Sequence, residues 1–120
     1  EEKQNNLVNI PINITNNGSS IKLSRPDQPS LKPYEFNLDK ILPQNTSQQQ
    51  VFLQVSKPMV EACLEGFNTT IFAYGQTGSG KTYTMFGPEK LKSPDEFGCV
   101  QRGIAYLFEQ LNQRTNESGK

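Results

Sequence analysis

At 120 residues the chain fits one small domain. Twelve Lys and Arg balance twelve Asp and Glu, so no single-sign field favours nucleic acid or an anionic membrane as partner, and no apolar run approaches the roughly 18 residues that a membrane-crossing helix needs. Only 33% of residues are apolar, below the roughly 45–50% of ordinary domains counted with Gly, so the chain can bury only a modest core.

The polar start EEKQNN has neither the basic nor the apolar region of a secretory leader, so a cytoplasmic protein is expected. Cys63 and Cys99 are the only cysteines, and without any His they do not suggest a zinc site. They read as reduced, partly buried thiols. The first residue is Glu1 and the last segment is the polar NQRTNESGK, so both ends read as cuts in a longer domain.

Along the chain, Ile10, Ile12 and Ile14 alternate with Asn9, Pro11 and Asn13, the period of a half-buried strand, with Pro11 confining it to an edge or a short strand. The turn-rich Asn16-Asn17-Gly18-Ser19 follows, and Ile21 and Leu23 alternate again, which predicts a small hairpin. Pro26, Pro29 and Pro33 mark a loop, after which Tyr34, Phe36 and Leu38 predict a third strand.

Ser47 with Gln50 three positions on has the form of a capping box. Val51, Val55, Met59 and Cys63 then recur every four residues beside Phe52, Val60 and Leu64, predicting an amphipathic helix from about 48 to 65. Pro58 should kink or break it, and Gly66 supplies a left-handed end. Thr69 to Tyr74 is β-branched, aromatic and uncharged, and predicts a central parallel strand covered on both faces.

Thr82 to Phe86 can form one or two helical turns before Gly87-Pro88, and the polar PEKLKSPDEF is then a loop. Ile104, Leu107, Phe108 and Leu111 predict a final amphipathic helix of about three turns. The expected divisions are a hairpin and loop over 1–33, a strand, helix, phosphate loop and helix over 34–112, and a polar tail over 113–120.

Between the predicted strand and the short helix, Gly75-Gln76-Thr77-Gly78-Ser79-Gly80-Lys81-Thr82 fits G-x-x-x-x-G-K-[ST], in the structural context that this motif requires. Its glycines let backbone N–H groups approach phosphate oxygens closely, and the following helix turns its unsatisfied N–H groups to the same charge. Lys81 would reach the β- and γ-phosphates, and the Thr82 hydroxyl would ligate Mg²⁺. An ordinary glycine-rich turn is the plainer alternative. An unrelated P-loop enzyme, such as a nucleotide kinase, is a further one.

The flanks are more particular than the motif. Phe72 to Met85 reads FAYGQTGSGKTYTM, which closely resembles the phosphate loop of kinesin motor domains. Phe36 to Leu42 resembles the kinesin F-x-F-D-x-V-F strand, with Leu at two positions where an aromatic is usual. Ser47-Gln48 through Gly66-Phe67-Asn68 resembles the helix that follows, including Lys57-Pro58. Gly98-Cys99-Val100-Gln101-Arg102-Gly103 corresponds to the family's G-I-I-P-R segment. There Gln101 replaces the usual Pro, a departure that could lengthen or loosen the helix start.

The resemblance covers residues 34 to 112. It implies an α/β fold of the P-loop NTPase type, a partial kinesin motor domain in which part of a central sheet is flanked by helices, with a small N-terminal hairpin. It further implies a microtubule motor ATPase of the cytoskeleton, with ATP and Mg²⁺ as ligands and tubulin as a partner reached through other parts of the parent protein. Gly75 to Thr82 would bind the phosphates, and Tyr83 stands where the family packs a ring against adenine.

The family's switch segments, N-x-x-S-S-R-S-H and D-L-A-G-S-E, do not occur in these 120 residues, and no catalytic residue is assigned here. Asp95-Glu96-Phe97-Gly98 has the form D-x-x-G, but it follows a Pro-containing loop and lies too near Lys81 for an intervening strand and crossover. An inactive kinesin-like piece that only binds nucleotide or a partner is therefore the competing reading.

Overall fold

The alternating residues near the N-terminus pair as their period demands. In the computed structural model, which describes residues 12–15, 18–24 and 27–119, β1 (Ile12–Thr15), β2 (Ser20–Leu23) and β3 (Tyr34–Asn37) form an antiparallel sheet in the order β1-β2-β3. Ile14 stands opposite Ile21, and Ile21 opposite Phe36, so one register serves both ladders. The hairpin and the third strand therefore match expectation, while Ile10, Pro11, Asn16 and Asn17 lie outside the described residues.

Beyond β3, the Leu38 and Ile41 N–H groups donate to Ser19 and Gly18 carbonyls, folding the chain back along the turn. Lys22 and Glu35 are cross-strand neighbours 3.5 Å apart, an exposed pair of small energetic weight. The contacts separate a unit ending at Gln44 from one beginning at Asn45. The strand at 34–37 thus belongs with the first unit, by its pairing to β2.

In the second unit Ser47 starts α1 (Gln48–Val51) with the anticipated capping box. The Gln50 N–H donates to Ser47 Oγ at 3.2 Å, and the Ser47 N–H donates to Gln50 Oε1 at 3.0 Å. The helical path continues as a π-turn, Phe52–Ser56, into α2 (Lys57–Leu64). Pro58 is the physical cause that the sequence offers: its nitrogen carries no proton for the ladder, so the continuous helical path widens to a π-turn just before it.

Gly66 ends this run at φ +97° with the two bonds of a Schellman motif, Gly66 N–H to Cys63 O and Phe67 N–H to Ala62 O, both 3.0 Å.

The predicted strand at 69–74 is not a strand in the structure. Residues 67–75 run without ladder hydrogen bonds, and Phe72 and Tyr74 are 81% and 91% exposed. The segment has strand composition, but a strand exists only against a partner, and no other described segment pairs with it.

Past α3 (Lys81–Phe86) and a 3₁₀ turn at Pro94–Glu96, α4 runs from Cys99 to Ser118, well beyond the three turns expected. Its polar end contains no helix breaker before Gly119. Arg114 Nη1 donates to the Leu64 carbonyl at 2.8 Å, tying the end of α4 to the end of α2. The segment from 113 to 118 is therefore helical rather than a loose tail.

The core is small. Phe52 and Cys99 are the buried hydrophobic residues among those described, and the Phe52 ring meets Tyr106 edge-on with centroids 5.9 Å apart. Cys63 is exposed, not partly buried as expected. The Tyr106 hydroxyl donates to Glu61 Oε1 at 2.9 Å, and this bond, with desolvation and the Glu61 and Glu109 charges, raises its pKa above the usual tyrosine value.

The expected apolar stripe on α4 is mostly uncovered: Ile104, Phe108 and Leu111 are exposed, and Leu107 is half-buried. No helix among the described residues is long and apolar enough to cross a membrane.

Arg102 closes the loop between α3 and α4. Its Nε donates to Phe97 O at 2.8 Å, Nη2 to Asp95 O at 2.8 Å and Pro94 O at 3.3 Å, and Nη1 to Gln49 Oε1. Asp95, whose D-x-x-G form is set aside as a switch on sequence grounds, sits in a strapped 3₁₀ turn.

Gln101 does not loosen the helix start. Its Nε2 donates to Phe86 O at 2.7 Å, closing the end of α3. Because the first α4 bond runs from the Arg102 N–H to Gly98 O, Pro at 101 would sacrifice no helical hydrogen bond. Gln101→Pro is expected to cost about 1 kcal/mol through the lost side-chain bond, a small downward shift in a denaturant midpoint. An unchanged or raised midpoint would contradict this role.

Candidate functional site: a phosphate-binding loop

The glycine-rich segment folds as a tight turn that runs directly into a helix. The Ser79 N–H donates to Gln76 O at 3.1 Å, closing the turn, and the Thr84 N–H donates to Gly80 O at 2.9 Å, opening α3. Gly78 and Gly80 take φ +80° and +93°, the left-handed region that L side chains rarely adopt. Gly75 takes φ +156°, also disfavoured for L side chains, and an added Cβ there would force the Ser79 hydroxyl to rotate away.

Since the first bond of α3 comes from Thr84, the N–H groups of Lys81, Thr82 and Tyr83 precede any intrahelical acceptor. They border a depression of about 240 Å³ lined by Gly78, Gly80, Lys81, Thr82 and Tyr83. Gln76, Thr77, Gly78, Ser79, Thr82 and Tyr83 are all exposed. Lys81 Nζ donates to Gln76 O at 2.7 Å. An ammonium has three donors, so two remain for an anion.

These features fit a polyphosphate: free donors, a cation, and glycine where a side chain would crowd the approach. They fit Mg²⁺ through one protein ligand. Among the described residues no three of His, Cys, Asp or Glu gather into a metal site, so the ion would rest on Thr82 Oγ1, phosphate oxygens and water, as Mg²⁺ commonly does. Tyr83 is 55% exposed, available to a flat ligand such as a base.

A larger depression, about 470 Å³, lies elsewhere in this unit, with Phe52, Lys57, Phe97 and Tyr106 in its wall. It includes none of the loop residues. The smaller depression holds the donors and the cation, so chemistry rather than size identifies the site.

Sequence reasoning overlooked Gln48. This residue is only 7% exposed, and its Nε2 donates to the Tyr83 carbonyl at 2.7 Å, across 35 positions in the chain. No local periodicity signals such a bond. Only its place beside the cap residue Ser47, at the start of an otherwise exposed polar run, marks it.

The sequence profile of the kinesin motor domain matches residues 1–120. Kinesin-like protein KIF15 of Strongylocentrotus purpuratus is 44% identical over 93 residues, 73% of this chain and 6% of that protein. Kinesin-like protein KIN-12A of Arabidopsis thaliana is 42% identical over 110 residues, 89% of this chain and 8% of that protein. The chain therefore spans less than a tenth of the length of these relatives.

Among solved structures, Drosophila NOD, docked with bovine tubulin into an 11-Å cryo-EM map of nucleotide-free NOD complexed to the microtubule, is 31% identical. It superposes with a TM-score of 0.71 over 90% of this chain and 35% of its own. With the profile matched from end to end, the chain belongs to the kinesin motor-domain family.

Proposed function

We propose that this chain carries the phosphate-gripping part of a microtubule-motor ATPase site. Gly75, Gln76, Thr77, Gly78, Ser79 and Gly80 form the backbone cradle, Lys81 neutralises the β- and γ-phosphates, Thr82 ligates Mg²⁺, and Tyr83 packs against adenine. The observation that carries this reading is the turn at Gly78 and Gly80, which leaves the leading N–H groups of α3 and the Lys81 ammonium beside one small depression.

Magnesium, when bound, neutralises charge on the phosphates. The chain's own residues bind and orient: the cradle fixes the phosphate chain, and the ring selects a planar base. Groups that position the attacking water and sense the γ-phosphate are expected in the family's switch segments, which these 120 residues do not include. Likeness to NOD, a protein solved on the microtubule, supports tubulin as the parent's track and the cytoskeleton as its place of work.

The test is phosphate release by the full-length protein with Mg·ATP, with and without microtubules. Microtubule-stimulated turnover is the expected result. Saturable ATP binding without turnover would favour a nucleotide-binding module instead. The 120-residue chain by itself should bind ATP weakly, show no microtubule-stimulated turnover and melt without a sharp transition. Its buried hydrophobic residues are few, and Phe72 and Tyr74 face solvent. A cooperative melt together with ATP turnover from this chain would refute that expectation.

A further inference from the structure

The helix that carries Lys81, Thr82 and Tyr83 is only six residues long, so its placement depends on what holds each end. At its N-terminus the loop does so: Ser79 N–H and Lys81 Nζ both bind Gln76 O, and the Thr84 N–H binds Gly80 O. Further along, the Tyr83 carbonyl accepts from the Gly87 N–H at 2.8 Å and from Gln48 Nε2 at 2.7 Å. The first of these is the helix's own bond. The second comes from α1, whose start is held by the Ser47 and Gln50 capping box.

We infer that Gln48 is a positioning residue for the nucleotide site, holding Tyr83 by its backbone so that the ring meets the base of a bound nucleoside triphosphate. The inference rests on the proposed role of Tyr83. A buried amide is restricted by its surroundings, and an N–H donated to a second carbonyl lone pair adds direction without disturbing the helix. The loop keeps its own bonds to Gln76 O and Gly80 O, and the far end of α3 is held by the Gln101 bond to Phe86 O. Loss of Gln48 should thus loosen Tyr83, in the middle of the helix, more than the phosphate cradle. Gln48 therefore governs the part of affinity that comes from the base.

The experiment compares the affinities of the full-length protein for Mg·ATP and Mg·tripolyphosphate, the latter a probe with phosphates and no base. Gln48→Met keeps length and bulk without the donor. It should lower the ratio of ATP to tripolyphosphate affinity about three- to tenfold, the span of one net hydrogen bond, while tripolyphosphate binding changes less than about twofold. Retained tripolyphosphate binding also shows that the variant is folded. Gln48→Glu, which has no donor at neutral pH, should lower the ratio at least as far.

Tyr83→Ala should lower the same ratio, and the double variant should be no worse than Tyr83→Ala alone, because both changes act through one ring. A role for Gln48 in stability alone would shift the melting temperature and leave the ratio unmoved. If Tyr83→Ala lowers the ratio and Gln48→Met does not, the inference about Gln48 is wrong while the ring's role stands. If Tyr83→Ala leaves the ratio unchanged, both are wrong.

Discussion

Alanine at Lys81 is expected to weaken Mg·ATP binding by the full-length protein by a factor on the order of a hundred or more. Truncating one partner of a hydrogen-bonded charge pair costs about 2–5 kcal/mol, and every 1.4 kcal/mol is about tenfold. The structure adds a second effect of the same sign. Lys81 Nζ also ties the loop to Gln76 O at 2.7 Å, so its removal frees the turn that the left-handed Gly78 and Gly80 shape. Arginine should not restore full affinity, because a planar fork does not reproduce a compact ammonium held against a carbonyl. Titration with a fluorescent ATP analogue checks both variants. A loss smaller than about threefold for Lys81→Ala would remove the loop from the nucleotide site.

Legibility of this fold follows the range of the interactions that make it. Ser47 and Gln50 satisfy each other three residues apart, and Gly66 ends its helix through bonds spanning five residues or fewer. Both could be read from residue type alone. The glycine-rich turn was equally legible, since each glycine answers a backbone requirement of its own turn. The segment at 69–74 shows the limit. Its β-branched and aromatic residues suit a strand, but a ladder is made with another segment, and none of those described pairs with it.

The length of α4 was missed for a different reason. An apolar stripe reports which face is covered, and it ended at Leu111. The helix continues because Gln113, Arg114, Thr115 and Asn116 do not break it, and Arg114 finds the free Leu64 carbonyl of α2. Gln48 and Arg102 were invisible as fasteners because each acts on carbonyls, which no side-chain pattern records. The glycine turn of the candidate site was thus readable in the sequence, while the Gln48 bond to the Tyr83 carbonyl became apparent only in three dimensions.

Gly98 and Gly103 give a prediction in which the same substitution has opposite signs. Gly98 is buried at the start of α4, and an added Cβ would lie 2.5 Å from the Met85 carbonyl carbon and the Phe86 nitrogen. Those are backbone atoms at the end of α3, so no rotamer change relieves the clash. Moving them would strain the Gln101 bond to Phe86 O and the Arg102 strap on residues 94–97. Gly98→Ala should cost about 2–4 kcal/mol, at or beyond the upper end of ordinary overpacking. Gly103 lies inside α4, where an added Cβ would meet Val60 Cγ2 at 3.7 Å, an ordinary contact. Gly103→Ala should therefore stabilise by about 0.5–1 kcal/mol, through the entropy that glycine loses on entering a helix. Denaturant unfolding of the full-length protein carrying each variant, beside the unsubstituted protein, separates these effects. Destabilisation by Gly103→Ala would show that its contact with Val60 is tighter than 3.7 Å implies. If Gly98→Ala proved neutral, the close approach of α3 to the start of α4 would be wrong, and with it the route by which the strapped loop steadies the end of the phosphate-loop helix.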